Sequence, residues 1–269
     1  MFGSGHFRKW ICGALLLMGV PTTLASDIVW GINHVPPFHI LEGEYEHQGM
    51  CDALVQAFIN ASPHLEHEIK ALPASRLSAL IQNNQNVCLP CMILKPSDQS
   101  IAQFSNPTNT YPPHGIITRP ELAEALTNKF GNPIDIEALV LSRDYSFGQP
   151  PGRKFGRLQG FLDQELVDSP QFSVIGGSQS SHNLFLMLRS GRIDYTIDYL
   201  MMKNYIESTT SNEFVFIPIQ QNRDDAIVGA VGCSKNAWGT QALELINEII
   251  PVAIEDPVFR DAYYRWLQE

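Results

Sequence analysis

The stretch from Arg76 to Arg119, RLSALIQNNQNVCLPCMILKPSDQSIAQFSNPTNTYPPHGIITR, decides the fold. Apolar Leu77, Leu80 and Ile81 recur at helical spacing, polar Asn83 to Asn86 closes that helix, and Val87 to Leu94 reads as a β-rich segment. The strand ends in a polar loop, Lys95 to Gln99, that holds a lone cation and a proline. FSNPTNTYPP is rich in turn formers and leads to a second short strand, Gly115 to Thr118. Loops that leave strands are where α/β proteins take up ligands, so Lys95 is a candidate contact.

Upstream, DIVWGI from Asp27 reads as a first strand by its β-branched and aromatic content. NHVPPFHI follows, and its double proline fixes an extended backbone that holds Phe38 at the strand's exit. After Gly49, MCDALVQAFI carries Leu54, Val55, Phe58 and Ile59 on one helical face, and HLEHEIKAL supplies the next strand. Ser75 is the expected N-cap of the helix that bears Arg76. This alternation of strand and helix is the rhythm of a parallel sheet.

Downstream, Pro120 opens an amphipathic helix, and GNP breaks the chain before ALVLS, which is read as a strand. The loop RDYSFGQPPGRKFG then falls at that strand's C-terminal end and offers Arg143, Tyr145 and Ser146. Gly, Ser and Arg at a helix start would suit an anionic group. Ser181 is the expected cap of a helix with Leu184, Phe185, Met187 and Leu188, stopped by Gly191. GRID, a strand ending near Asp198 and Tyr199, the apolar FVFIPIQ, a strand AIVGAVGC and two closing helices complete the chain.

The order of Arg-led helix, strand, polar loop, Phe104-Ser105-x-Pro107, and later GRID and the CSKNxWG segment, resembles the type II, two-lobed periplasmic solute-binding proteins of the family 3 kind, in a branch apart from the classical amino-acid binders. The resemblance spans essentially the whole mature chain. It implies an α/β fold of two lobes, each a mainly parallel sheet flanked by helices, joined by two crossover strands. The expected division is a signal peptide over 1–25, a discontinuous first lobe over 26–117 and 217–269, and a second lobe over 118–216. Where the family's loop has Thr and Arg, this chain has Lys95 and Asp98, and Tyr199 stands where an ammonium-binding Asp is usual. Asp198 would replace that Asp only with an offset strand, because neighbouring strand residues face opposite sides. Those departures argue against an ordinary amino-acid ligand. The expected binding set is His34, Phe38, Arg76, Lys95, Tyr111, Arg143, Tyr145, Ser146, Ser181, Asp198 and Tyr199.

Composition sets the compartment and excludes several classes. Basic residues, an apolar ICGALLLMGV and a small-residue TTLAS form the three parts of a secretory signal in the N-terminal segment, with cleavage expected after Ala25. No later stretch approaches the roughly 20 apolar residues of a membrane span. Loss of Arg8 and Lys9 takes the net charge from −10 to −12, which disfavours nucleic acid and anionic membranes. Cys51, Cys88, Cys91 and Cys233 remain, an even number that suggests disulfides with three pairings open. CLPC is a weak redox motif because it lies in a strand pattern rather than at a helix start.

The expected function is capture of a small, anionic or carboxylate-bearing solute by a monomeric periplasmic protein. Its partner would be an ABC-type permease or a membrane sensor. No metal or cofactor is expected: HExxH, P-loop and dinucleotide fingerprints do not occur. The rival is a dehydratase-like enzyme on the same scaffold, for which His34, Asp98 and Asp198 are the available acid–base groups.

Overall fold

The computed structural model describes residues 27–94, 100–177 and 179–268. In chain order the first part comprises β1 (Ile28–Ile32), α1 (Met50–Ala61), β2 (His67–Ala71), α2 (Ala74–Gln82), β3 (Cys88–Ile93) and β4 (Gln103–Tyr111). Next come β5 (Gly115–Thr118), α3 (Pro120–Phe130), α4 (Ile136–Ser142), β6 (Phe147–Gln149), α5 (Gln159–Leu166), β7 (Phe172–Val174), α6 (Ser180–Arg189), β8 (Tyr195–Asp198), α7 (Leu200–Thr209) and β9 (Val215–Pro218). The chain ends with β10 (Ile227–Cys233), α8 (Ala237–Ala253) and α9 (Pro257–Arg265).

The strands form two sheets of five, ordered β2-β1-β3-β10-β4 and β7-β6-β8-β5-β9. The expected boundaries at 117/118 and 216/217 cut β5 and β9, yet both strands lie whole in the second sheet. The chain therefore changes sheets over 112–114 and 219–226. In the first sheet β1 runs parallel to β2 and β3, while β10 runs antiparallel to β3 and β4. FSNPTNTY, read as turns, is most of β4. It tolerates Pro107 because it is an edge strand whose pairing with β10 shifts register at Gly229/Ala230.

ALVLS is helix α4, not a strand. Asp135 caps it by accepting from the amides of Glu137 and Ala138, each at 3.1 Å, and Ile136, Leu139 and Val140 form its buried face. Arg143 ends it in the left-handed region at φ 59°. The two expected serine caps also move: α2 begins after Pro73 with Ser75 inside it, and α6 begins after Gln179 with Ser181 inside it. Short polar residues near a helix start are a good sign that one begins, but only the backbone shows which residue is outside.

The first lobe is pinned covalently. Cys51–Cys91 ties α1 to β3, and Cys88–Cys233 ties β3 to β10, so the two cysteines of CLPC take different partners. Beneath them Trp30 stacks on Phe58 at 5.3 Å and donates to Nδ1 of His67 at 3.1 Å. Ser62 Oγ donates to the Phe58 carbonyl at 2.6 Å, so it accepts from Nε2 of His67 at 3.0 Å, and the imidazole is held neutral. Burial lowers the His67 pKa below its ordinary 6.5.

Two tests follow from these contacts. The folded protein binds fewer protons at His67 than the unfolded chain, so stability is lost as pH falls below 6.5. His67→Gln should flatten that part of the curve of melting temperature against pH, and an unchanged slope would contradict the network. Replacing Cys88 and Cys233 together by Ala should lower stability by roughly 2–4 kcal/mol in denaturant titrations and leave the far-ultraviolet spectrum folded.

Candidate functional site

The lobes meet along an aromatic seam. Phe38, in the loop after β1, and Tyr111, ending β4, come from the first lobe, while Tyr199 links β8 to α7. Phe38 meets Tyr111 and Tyr199 edge-on at 5.7 and 5.6 Å, and Tyr111 meets Tyr199 at 5.8 Å. His114, on the first crossing, lies 4.2 Å from Tyr199 and 5.7 Å from Phe155 of the loop after β6. These edge-on contacts suit the ring quadrupoles. Beside the seam is a cavity of about 180 Å³. Leu94, Ile227 and Val228 wall it from the first lobe, Lys154, Phe155 and Tyr199 from the second, and His114 and Asn222 from the crossings. Asn222 Nδ2 donates to the His114 carbonyl at 3.0 Å, which ties one crossing to the other.

Charge is concentrated at the end of β8. Asp198 is fully buried, and its carboxylate accepts from Arg153 Nη2 at 3.1 Å and from the Tyr199 amide at 2.8 Å. Burial raises the Asp198 pKa, opposed by Arg153 and the Tyr199 amide. The Arg153 guanidinium also sits 5.7 Å from the centre of the Tyr199 ring. Burial pushes the Tyr199 phenol up to about 12 and the Tyr111 phenol higher still, so both stay neutral. Nearer solvent, Arg157 pairs with Asp225 at 2.6 Å. Lys154 makes no ion pair among the described residues.

Of the residues expected from sequence, Phe38, Tyr111, Asp198 and Tyr199 are brought together. Asp198 and Tyr199 both reach the seam because strand alternation ends where β8 gives way to α7. Others lie elsewhere. His34 is exposed and its Nδ1 accepts from the Leu41 amide at 3.1 Å, and Arg76 is exposed in the first turn of α2. Ser181 lies in the first turn of α6, after β7. Lys95 and Asp98 fall outside the described residues.

Arg143, Tyr145 and Ser146 require a correction. All three precede β6, and Ser146 donates through its amide and Oγ to Asp194, each at 2.8 Å. Asp194 precedes β8, which runs parallel to β6, so this turn is at the opposite end of the sheet from Asp198. Arg143 is bound to the carbonyl and carboxylate of Glu165 at 2.6 and 2.7 Å, and Tyr145 packs on Phe130 at 5.8 Å. The cause is α4: once ALVLS is helical, the strand moves on to FGQ and the loop at its C-terminal end becomes PPGRKF. Arg153, Lys154 and Phe155 thus take the place assigned to the earlier half of the same loop. Asp135 ahead of Ile136, Leu139 and Val140 was the available signal. His114 and Asn222 had none, because only the meeting of the crossings gives them a role.

No protein-family model matches the chain, and comparison with curated proteins gives no match. Solved structures do match. One described as a putative L-cystine ABC transporter from Listeria monocytogenes has a TM-score of 0.65 at 15% identity, covering 89% of this chain and 95% of its own. A histidine kinase sensor domain with similarity to periplasmic binding proteins scores 0.64 at 13% identity over 89% and 95%. An ancestral amino-acid-binding protein, a precursor of cyclohexadienyl dehydratase, scores 0.62 at 14% identity over 90% and 95%. Among the described residues, no helix is long and apolar enough to cross a membrane, and no group of three or more His, Cys, Asp or Glu is placed to hold a metal. At such identities the likeness speaks for the fold, and two five-stranded sheets linked by two crossings agree with it: the chain has the two-lobed fold of the type II periplasmic solute-binding proteins.

Proposed function

We propose that the protein captures a small carboxylate-bearing solute between its lobes, on the outer side of a cell membrane, and presents it to an ABC-type permease or a membrane sensor. One observation carries this reading: a single cavity is walled jointly by Leu94, Ile227 and Val228 of one lobe and by Lys154, Phe155 and Tyr199 of the other. A solute that touches both walls favours the closed arrangement by the difference in its affinity for closed and open forms. Lys154 supports an anionic group by offering a charge-assisted hydrogen bond. The three-part N-terminal segment supports export, and the printed descriptions of the structural neighbours, which include a substrate-binding protein of an amino-acid ABC transporter and a kinase sensor domain, support both partners.

A catalytic reading draws on the buried Asp198, whose raised pKa next to Tyr199 would suit proton transfer. Against it, Arg153 and the Tyr199 amide already occupy both carboxylate oxygens. Mass spectrometry of a bound solute after prolonged incubation separates the two, since product formation would favour the enzyme.

Thermal-shift screening against small organic acids should reveal stabilisation that grows with the logarithm of concentration, with a smaller radius of gyration in X-ray scattering. Absence of both would overturn the receptor reading. Asp198 also predicts a pH effect. Its folded-state pKa lies above the ordinary 3.8, so its contribution is present at acid pH and lost as pH rises through the raised value. Compared with Asp198→Asn, the natural protein should lose melting temperature as pH rises above the ordinary 3.8. A parallel pair of curves would contradict that assignment.

A further inference from the structure

We infer that this cavity admits monoanions with an apolar body and turns away zwitterionic α-amino acids. The inference rests on the solute-binding reading above and concerns which solutes that site accepts. A zwitterion removed from water needs an unengaged cation and an unengaged anion in the wall, because a charge buried without a partner is strongly penalised. Among the described residues, the carboxylates near the site are already taken. Asp198 is held by Arg153 at 3.1 Å and by the Tyr199 amide at 2.8 Å, and Asp225 is held by Arg157 at 2.6 Å. Lys154 is the wall cation with no ion pair among the described residues. The described wall therefore has a surplus positive charge and no vacant carboxylate for an ammonium.

The phenols reinforce this. Tyr199 and Tyr111, both with pKa values raised by burial, stay uncharged and give an ammonium no anion to approach. Leu94, Phe155, Ile227 and Val228 give the remaining wall an apolar stretch, and His114 and Asn222 supply its uncharged polar part. At about 180 Å³ it is smaller than the roughly 300–1,000 Å³ typical of drug-sized sites, which favours a small acid with a hydrocarbon or aromatic body. Its carboxylate would meet Lys154, and its body would lie along Phe155 and Ile227. The Arg157–Asp225 pair stands at the edge as the element that excludes amines: it is the more exposed of the two pairs, and it blocks a carboxylate that would otherwise receive an ammonium.

The test uses matched probes on the full chain. Melting temperatures are measured with 4-methylpentanoate against leucine, 3-phenylpropanoate against phenylalanine, and the corresponding amines, 3-methylbutylamine and 2-phenylethylamine. At least one acid should stabilise the protein at concentrations ten-fold or more below any at which its amino acid or amine does. Lys154→Met should abolish the acid's effect while leaving the melting temperature of the free protein unchanged. Arg157→Gln, which frees Asp225, should raise the response to the amino acid. An amino acid or amine that stabilises as well as its acid, or an acid effect that survives Lys154→Met, overturns the inference while leaving solute binding intact. No shift with any probe, together with no compaction in scattering, overturns the solute-binding reading itself.

Discussion

A carboxylate placed at the buried end of a strand must find a cation or lose its charge, and Asp198 meets that constraint with Arg153. The arrangement of the second lobe's face depends on this pair. Arg153 comes from the loop after β6, so its attachment to β8 draws that loop across the sheet's end and sets Lys154 and Phe155 toward the cavity. The same carboxylate accepts from the Tyr199 amide, which fixes the residue that precedes α7 and the ring that meets Phe38. The cavity wall is thus organised by a fully buried group.

The first lobe and the junction between the lobes are held by different means. Within the first lobe two disulfides join α1, β3 and β10. Between the lobes the contacts are of another kind. They are the rings of Phe38, Tyr111, Tyr199 and His114, the hydrogen bond from Asn222 to the His114 carbonyl, and a second group around Tyr45, Tyr205 and Trp266. Asn204 of α7 adds two hydrogen bonds to the carbonyls of Trp266 and Gln268. α7 therefore carries the cleft residue Tyr199 at one end and meets the C-terminal segment one to two turns later. Such contacts are non-covalent, whereas α1, β3 and β10 are joined by covalent bonds.

What the sequence by itself determined is the architecture and one half of the seam. Apolar periodicity, Pro and Gly breaks and the Pro120 helix start are local signals, and they placed most helices and strands because backbone preference acts over a few residues. The positions of Phe38, Asp198 and Tyr199 were legible for the same reason, each following or ending a recognisable strand, whereas Tyr111 ends a strand that was read as turns. FSNPTNTY and ALVLS were misread where local chemistry and tertiary context diverge. An edge strand tolerates Pro and Asn that a central strand would not, and a short run such as ALVLS fits strand or helix equally until its cap is counted. Moving that one helix moved the loop at the C-terminal end of the neighbouring strand from Arg143–Ser146 to Arg153–Phe155. Only the tertiary structure decided the cysteine pairing, the engagement of each carboxylate and the roles of His114 and Asn222. These depend on groups many tens of residues apart meeting in space, and no local pattern encodes which cation reaches which anion.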